Sequence, residues 1–261
     1  MSDLQVNNIH LRYQSKAVVR GASLSLASGQ VGVIVGANGC GKSTLLKAIA
    51  KLHPLDEGQI VLNGRNTRLM SNQQMARQVS LLPQSANAPE GMTVGMLVRY
   101  GRYPYQGLFR SWSKTDDLAV RLSMDKLGVL EFENRRLDEL SGGQRQRCWL
   151  AMILAQDTPL VLLDEPTSML DLGHQIEVLE QIKGLAQMGK SVLLVLHDLA
   201  LAVRYADQIF AMNEGQIICS GTAQEIVTAE LIKMLYGVDA DIMYTPDHMP
   251  LVVPQRLALI Q

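Results

Sequence analysis

The sequence predicts an α/β protein with a mostly parallel sheet, an antiparallel β-subdomain at the N-terminus and an inserted helical subdomain. Three observations carry this. Strand-like and helix-like segments alternate through most of the chain, the pattern of a parallel sheet crossed by helices. Residues 4–30 instead alternate apolar and polar side chains, as in LQVNNIHLRY and ASLSLASG, the period of half-buried antiparallel strands. From about Asn87 to Asp157 β-runs give way to helical periodicity rich in methionine and arginine.

The elements follow in order. VGVIV at 31–35 is a continuous apolar run, as expected of a strand buried on both faces. It leads through a glycine-rich turn into KSTLLKAIAKL, where Leu45, Leu46, Ile49 and Leu52 recur at helical spacing. GQIVLNG at 58–64 and VSLLPQ at 79–84 are further strands. MTVGMLVRYGR, TDDLAVRLSMDKLGV and SGGQRQRCWLAMILAQ read as the helices of the insertion. Strands return at LVLLD (160–164), SVLLVL (191–196), QIFAMN (208–213) and QIICSG (216–221), with the helix HQIEVLEQIKGLAQ between the first two. After Gly221 come two short helices and then extended segments ending at PLVVP. The chain divides into a core, residues 1–86 and 158–261, and a helical subdomain, residues 87–157, within a single 261-residue domain.

Composition narrows the function. Hydrophobic residues make up 47% and the formal net charge is -1, so nucleic acid and anionic membrane are not expected partners. The three cysteines, Cys40, Cys148 and Cys219, are dispersed and form no CxxC; neither a disulfide framework nor a zinc site is expected. The N-terminus shows no basic-then-apolar signal. The most apolar stretch, at 192–196, stops at His197 and Asp198, short of the roughly 20 residues of a membrane span.

Gly36 to Ser43, GANGCGKS, fits G-x-x-x-x-G-K-[ST]. Glycines let backbone N–H groups curl around phosphates, Lys42 brings charge to the β and γ phosphates, and Ser43 offers a hydroxyl to Mg²⁺. A chance match in this length is roughly one in a hundred, and the strand before and helix after supply the required context. LVLLDEP ends an apolar strand in two carboxylates. Asp164 then stands at the phosphate end of the sheet, able to hold Mg²⁺ through water, and Glu165 beside it can polarise an attacking water. His197 follows a third strand on the same edge and can donate to a γ-phosphate. Gln84 ends VSLLPQ and Tyr13 lies in LRYQ; taken alone, each reads as ordinary polar or aromatic surface. Ser141 and the glycines after it look like a second phosphate turn opening a helix, with a plain helix cap as the alternative.

Together, and in this order, these residues resemble the ATP-binding cassette ATPases, a P-loop NTPase family, over nearly the whole chain. Tyr13 falls at the family's adenine-stacking aromatic, Gly36–Thr44 at the Walker A loop, Gln84 at the Q-loop and Leu140–Gln144 (LSGGQ) at the signature motif. Leu160–Glu165 match Walker B, Ser168–Asp171 (SMLD) the D-loop and His197 the switch histidine. The resemblance implies ATP and Mg²⁺ as cofactors. Gly36, Asn38, Gly39, Cys40, Gly41, Lys42, Ser43 and Thr44 would hold the nucleotide. Ser43, Gln84 and Asp164 would face the metal, with Glu165 as general base and Lys42 and His197 on the γ-phosphate. Ser141, Gly143, Gln144 and Asp171 would meet ATP across a head-to-tail homodimer that closes on binding and opens after hydrolysis.

GRYPYQGLF (101–109), LSGGQRQRCWLAMILAQ (140–156), HDLALAVRYAD (197–207), EIVTAELIKMLYGV (225–238) and the ending PLVVP are similar to ATPase subunits of iron-chelate and vitamin B12 importers, ferric-siderophore systems above all. That implies permease subunits as partners, a periplasmic or surface substrate-binding protein acting indirectly, and a peripheral place on the cytoplasmic face of the inner membrane. Importers of vitamin B12 or haem, and a soluble iron–sulfur assembly ATPase without permease, are the alternatives. Met169 in the D-loop departs from the alanine or bulky aromatic usual there.

Overall fold

A computed structural model describes residues 2–13, 16–106, 112–168 and 170–258; Met169 and residues 107–109 of GRYPYQGLF lie outside them. In chain order the elements are β1 (Ser2–Tyr13), β2 (Lys16–Ala27), β3 (Val31–Val35), α1 (Lys42–Ile49), β4 (Glu57–Leu62), β5 (Arg65–Asn66) and α2 (Asn72–Ala76). There follow β6 (Val79–Leu82), α3 (Val94–Tyr100), α4 (Lys114–Lys126), α5 (Gly142–Gln156), β7 (Leu160–Asp164), α6 (Leu172–Gln187), β8 (Ser191–Val195) and α7 (Leu199–Tyr205). The chain ends with β9 (Gln208–Asn213), β10 (Gln216–Gly221), α8 (Ala223–Ile226), α9 (Ala229–Tyr236), β11 (Val238–Tyr244) and β12 (Pro250–Leu257).

Three sheets result. β2-β1-β4-β5 is antiparallel throughout, as the alternation in residues 4–30 predicts. The central sheet runs β10-β9-β3-β8-β7-β6, with β9, β3, β8, β7 and β6 parallel and β10 antiparallel at one edge. β11 and β12 pair as a separate antiparallel ribbon, where the sequence predicts only extended segments.

Because side chains alternate across a strand, the apolar runs of the central sheet feed two cores at once. Val33, Val35, Val161, Leu163, Val192, Leu194, Ile209 and Ala211 face one core, together with residues of α3 through α7. Their neighbours Ile34, Leu160, Leu162, Leu193, Val195, Phe210 and Met212 face the other, with α1 and the antiparallel sheet. All are buried, and each such aliphatic or aromatic side chain contributes about 1.5–3 kcal/mol. The sheet is thus sandwiched, and only its strand ends are free to carry chemistry.

Three strand ends differ from expectation; β8, predicted over 191–196, stops one residue early at Val195. The strand predicted over 79–84 stops at Leu82, because Pro83 has no N–H for the ladder. The strand predicted over 58–64 stops at Leu62, where Asn63 (φ 50°) and Gly64 (φ 75°) make the positive-φ pair that turns a hairpin.

Candidate functional site

The C-terminal ends of β3, β8, β7 and β6 lie side by side in that spatial order. The Gly36–Gly41 loop leaves β3, His197 follows β8, Asp164 ends β7 with Glu165 next, and Gln84 follows β6. Residues far apart in sequence therefore meet on one edge, where open α/β sheets bind ligands.

The loop takes its path from its glycines. Gly36 has φ 146°, and a Cβ there would approach the Met212 carbonyl oxygen to 2.0 Å, a collision that backbone cannot absorb. Gly41, at φ 111°, is the N-cap of α1 and offers no side-chain cap. The first-turn amides of α1 are left for a ligand, at the positive end of the helix dipole.

Lys42 is buried. Its Nζ donates to the carbonyl oxygens of Gly36 at 2.7 Å and Ala37 at 2.9 Å. Those partners are neutral, so the ammonium is hydrogen-bonded without being neutralised, and an anion at the loop is favoured. Beside it, the Ser43 hydroxyl donates to Asp164 Oδ1 at 2.8 Å. Burial pushes the Asp164 carboxyl above its ordinary range; the Ser43 hydrogen bond opposes this, and the nearby Glu165 charge adds to it. A hydroxyl and a carboxylate, both hard oxygen donors, suit Mg²⁺.

Glu165 is held at φ 52°, an uncommon left-handed conformation for a non-glycine residue, and its side chain is 10% exposed. Gln84 Nε2 donates to its Oε2 at 2.6 Å, and His197 Nε2 stands 2.5 Å from its Oε1. One carboxylate is thus gripped from two strand ends. The cleft above, about 340 Å³, is lined by Val18, Asn38, Gly39, Gly41, Lys42, Ser43, Thr44, Gln84, Glu165 and His197.

Gly36 and Cys40, within the loop, and Asp164, at the end of β7, are buried; burial raises the Cys40 thiol pKa and the Lys42 charge opposes the rise. Tyr13, Ser141, Gly143, Gln144 and Asp171 lie outside the lining of the cleft. Tyr13 is exposed at the end of β1 and stands edge-on to His53, ring centroids 5.1 Å apart. Ser141 caps α5: its Oγ accepts from the Gln144 amide, and its own N–H donates to Gln144 Oε1. Neither Ser141, Gly143 nor Gln144 lines the cleft. Asp171 caps α6 by accepting from the His174 amide.

Sequence reasoning missed three neighbours. Val18 lines the cleft from β2, where alternation marks it only as a strand residue. His53 meets Tyr13. Tyr236, at the end of α9, buries its hydroxyl without a well-formed hydrogen bond. Burial pushes its phenol up to about 12; the Gly36 backbone opposes the rise, and the Cys40 and Asp198 charges add to it. No spacing rule points from the C-terminal tail to the phosphate loop.

A glycine phosphate loop, an unneutralised lysine and strand-end carboxylates on a parallel sheet define a P-loop nucleotide-binding protein. Residues 19–168 match the sequence profile of the ABC transporter family. The chain is 44% identical over 256 residues to the achromobactin transport ATP-binding protein CbrD of Dickeya dadantii, covering 97% of this chain and 95% of that protein. It is 42% identical over 253 residues to the ferric enterobactin transport ATP-binding protein FepC of Escherichia coli, covering 96% and 93%. A solved ABC transporter of "metal-chelate type", in an inward-facing conformation, superposes with a TM-score of 0.84 at 27% identity over 97% of both chains. The chain belongs to the ABC transporter family as an ATP-binding subunit.

Proposed function

We propose that this chain is the ATP-hydrolysing subunit of an importer for an iron chelate, a ferric siderophore before others. The observation that carries the catalytic part is the Glu165 carboxylate, held by Gln84 and His197 over the phosphate loop. From there it can accept the proton of a water attacking the γ-phosphate. Lys42 and the first-turn amides of α1 bind the phosphates, and His197 turns from Glu165 to the γ-phosphate. Ser43 and Asp164, with Gln84, would hold Mg²⁺, which neutralises developing phosphate charge when bound. Tyr13, backed by His53, faces the adenine.

The substrate reading rests on relatives whose names specify achromobactin and ferric enterobactin transport. Among the described residues no helix is long and apolar enough to cross a membrane. On this reading the chain is a peripheral subunit at the cytoplasmic face of the inner membrane, held by permease subunits, with a substrate-binding protein acting from the other side. Residues 87–157 form the helical subdomain that follows the permease, and residues 1–86 and 158–261 form the nucleotide core. Two copies sit head to tail, each presenting Ser141, Gly143, Gln144 and Asp171 to its partner's nucleotide.

The test is purification with associated membrane proteins, followed by ATPase assays and uptake of radiolabelled ferric siderophore, haem and cobalamin in cells with and without the chain. Siderophore uptake lost with the chain and restored by it supports the proposal. Loss of haem or cobalamin uptake instead would reassign the cargo. A chain that hydrolyses ATP but never co-purifies with a polytopic membrane protein would point to a soluble assembly ATPase.

A further inference from the structure

His174 belongs to none of the motifs above, yet it touches two of them. Its backbone amide donates to Asp171 Oδ1 at 3.0 Å, and its ring Nδ1 stands 2.9 and 2.8 Å from the two Asp171 carboxylate oxygens. These contacts, the amide first, hold the Asp171 carboxyl below the usual carboxylate range. The other edge of the ring lies against α5. A Cβ on Gly143 would come within 2.2 Å of His174 Cδ2 and 3.0 Å of its Nε2, so the imidazole fills the space that only a glycine leaves. About one turn further along both helices, Arg147 Nη1 donates to Glu177 Oε1 at 2.5 Å. α5 and α6 are therefore pinned at two successive levels, and the upper pin sits beside the turn that Ser141 caps.

We propose that His174 is a positioning residue: clamped by Asp171, its ring seats the first turn of α5 against the start of α6, so that the LSGGQ turn and the D-loop cap move as one body. The inference rests on the proposed ATPase function, in which that turn meets a partner's γ-phosphate. In physical terms, the Asp171 carboxylate fixes the ring orientation, and the opposite ring edge removes the freedom of the helix start to slide or fray. Positioning groups of this kind act on turnover without contacting the reacting atoms.

The full chain is tested with His174→Ala, His174→Asn and Asp171→Ala. His174→Ala is expected to lower ATP turnover about tenfold while ATP affinity of the single subunit stays within about twofold. Hydrogen exchange at the Gln144 and Arg145 amides should rise about tenfold, reporting a loosened helix start. His174→Asn, whose amide N–H can replace Nδ1 against Asp171, should recover about half of the lost turnover. Asp171→Ala together with His174→Ala should cost no more than about twice the larger single effect, because the two residues act as one unit. Wild-type turnover in His174→Ala overturns the proposal, as does unchanged exchange at those amides. A wild-type chain that hydrolyses no ATP would instead remove the function on which the proposal rests, and the exchange measurement would still decide the seating of the helix.

Discussion

The His197 ring nitrogen Nε2 lies 2.5 Å from Glu165 Oε1, joining the ends of two adjacent parallel strands across the sheet edge. Gln84 grips the other carboxylate oxygen at 2.6 Å. A carboxylate held at both oxygens is oriented before substrate arrives, which suits the general-base role proposed for it.

Glu165→Gln keeps the shape and the hydrogen-bonding reach of the side chain and removes its basicity. We expect ATP turnover to fall at least about a thousandfold, with ATP affinity within about threefold of wild type. Rapid-quench hydrolysis and equilibrium nucleotide binding, measured on one preparation, check both halves. Turnover near wild type would remove the base assignment.

Asp164→Asn should separate stability from function. Burial raises the folded-state carboxyl pKa above its unfolded value, so folding is favoured by protonation. Stability is then lost as pH rises from the unfolded value through the folded one, and the full penalty is present above the folded value. The amide removes that charge and can still accept from Ser43, so the nucleotide-free variant should melt about 2–4 °C higher at pH 7.5, a gap that closes as pH falls towards the carboxylate range. Mg²⁺-dependent ATP binding should weaken at the same time. Thermal melting across pH, with and without Mg²⁺-ATP, is the measurement.

Ser141→Arg and Lys42→Ala should fail in different ways. Lys42 lies in the cleft with the loop, whereas Ser141 does not line it. Lys42→Ala should lower ATP affinity of the isolated subunit by about tenfold or more. Ser141→Arg should leave that affinity within about twofold and cut turnover at least about a hundredfold. Equal losses of affinity would end the division of labour between the two phosphate turns.

Cys40 is buried and its thiol pKa is raised by that burial. The reactive thiolate is scarce at neutral pH, so alkylation should be slower than for a free thiol by about tenfold, and bound ATP should slow it further. Mass-spectrometric labelling kinetics with and without ATP check this; equal rates in the two conditions would place the nucleotide away from the loop.

The buried pair Arg102–Asp116 ties the segment between β6 and β7 together. Arg102 Nε donates to Asp116 at 3.0 Å and Nη1 to the Ala155 carbonyl at 2.9 Å, while the Ser113 hydroxyl also donates to Asp116. Burial alone would raise the Asp116 pKa; the Ser113 and Arg102 hydrogen bonds outweigh it and lower the value. Its stabilisation is therefore present above the unfolded pKa and is lost as pH falls through the lower folded one. Asp116→Ala leaves a buried guanidinium without its anion and should cost about 3–5 kcal/mol, read from denaturant unfolding.

Most of the fold was legible because its period is local. The alternation in β1 and β2, the apolar runs of β3, β7 and β8, and the helical spacing in α5 and α6 each follow from burial on one face or on two. The loop that lines the candidate cleft was legible because a phosphate-loop pattern needs glycine, lysine and serine in fixed order. Contacts between distant segments were not. Nothing in HQIEV shows that His174 stands on Gly143, and nothing in KMLYGV shows that the Tyr236 hydroxyl lies near the Gly36 backbone. The five-residue α2, polar at most positions, gives too short a pattern to separate from a turn. The pairing of β11 with β12 depends on partner choice rather than period.

The order β3-β8-β7-β6 has one more consequence. Ser43 and Asp164, 121 residues apart in sequence, are spaced by hydrogen-bonded strands about 4.8 Å from neighbour to neighbour. The sheet is a ruler, and the reach of the chain between its marks is irrelevant to the reading. Residues between β6 and β7 can be lengthened, swung or exchanged without moving Ser43 relative to Asp164.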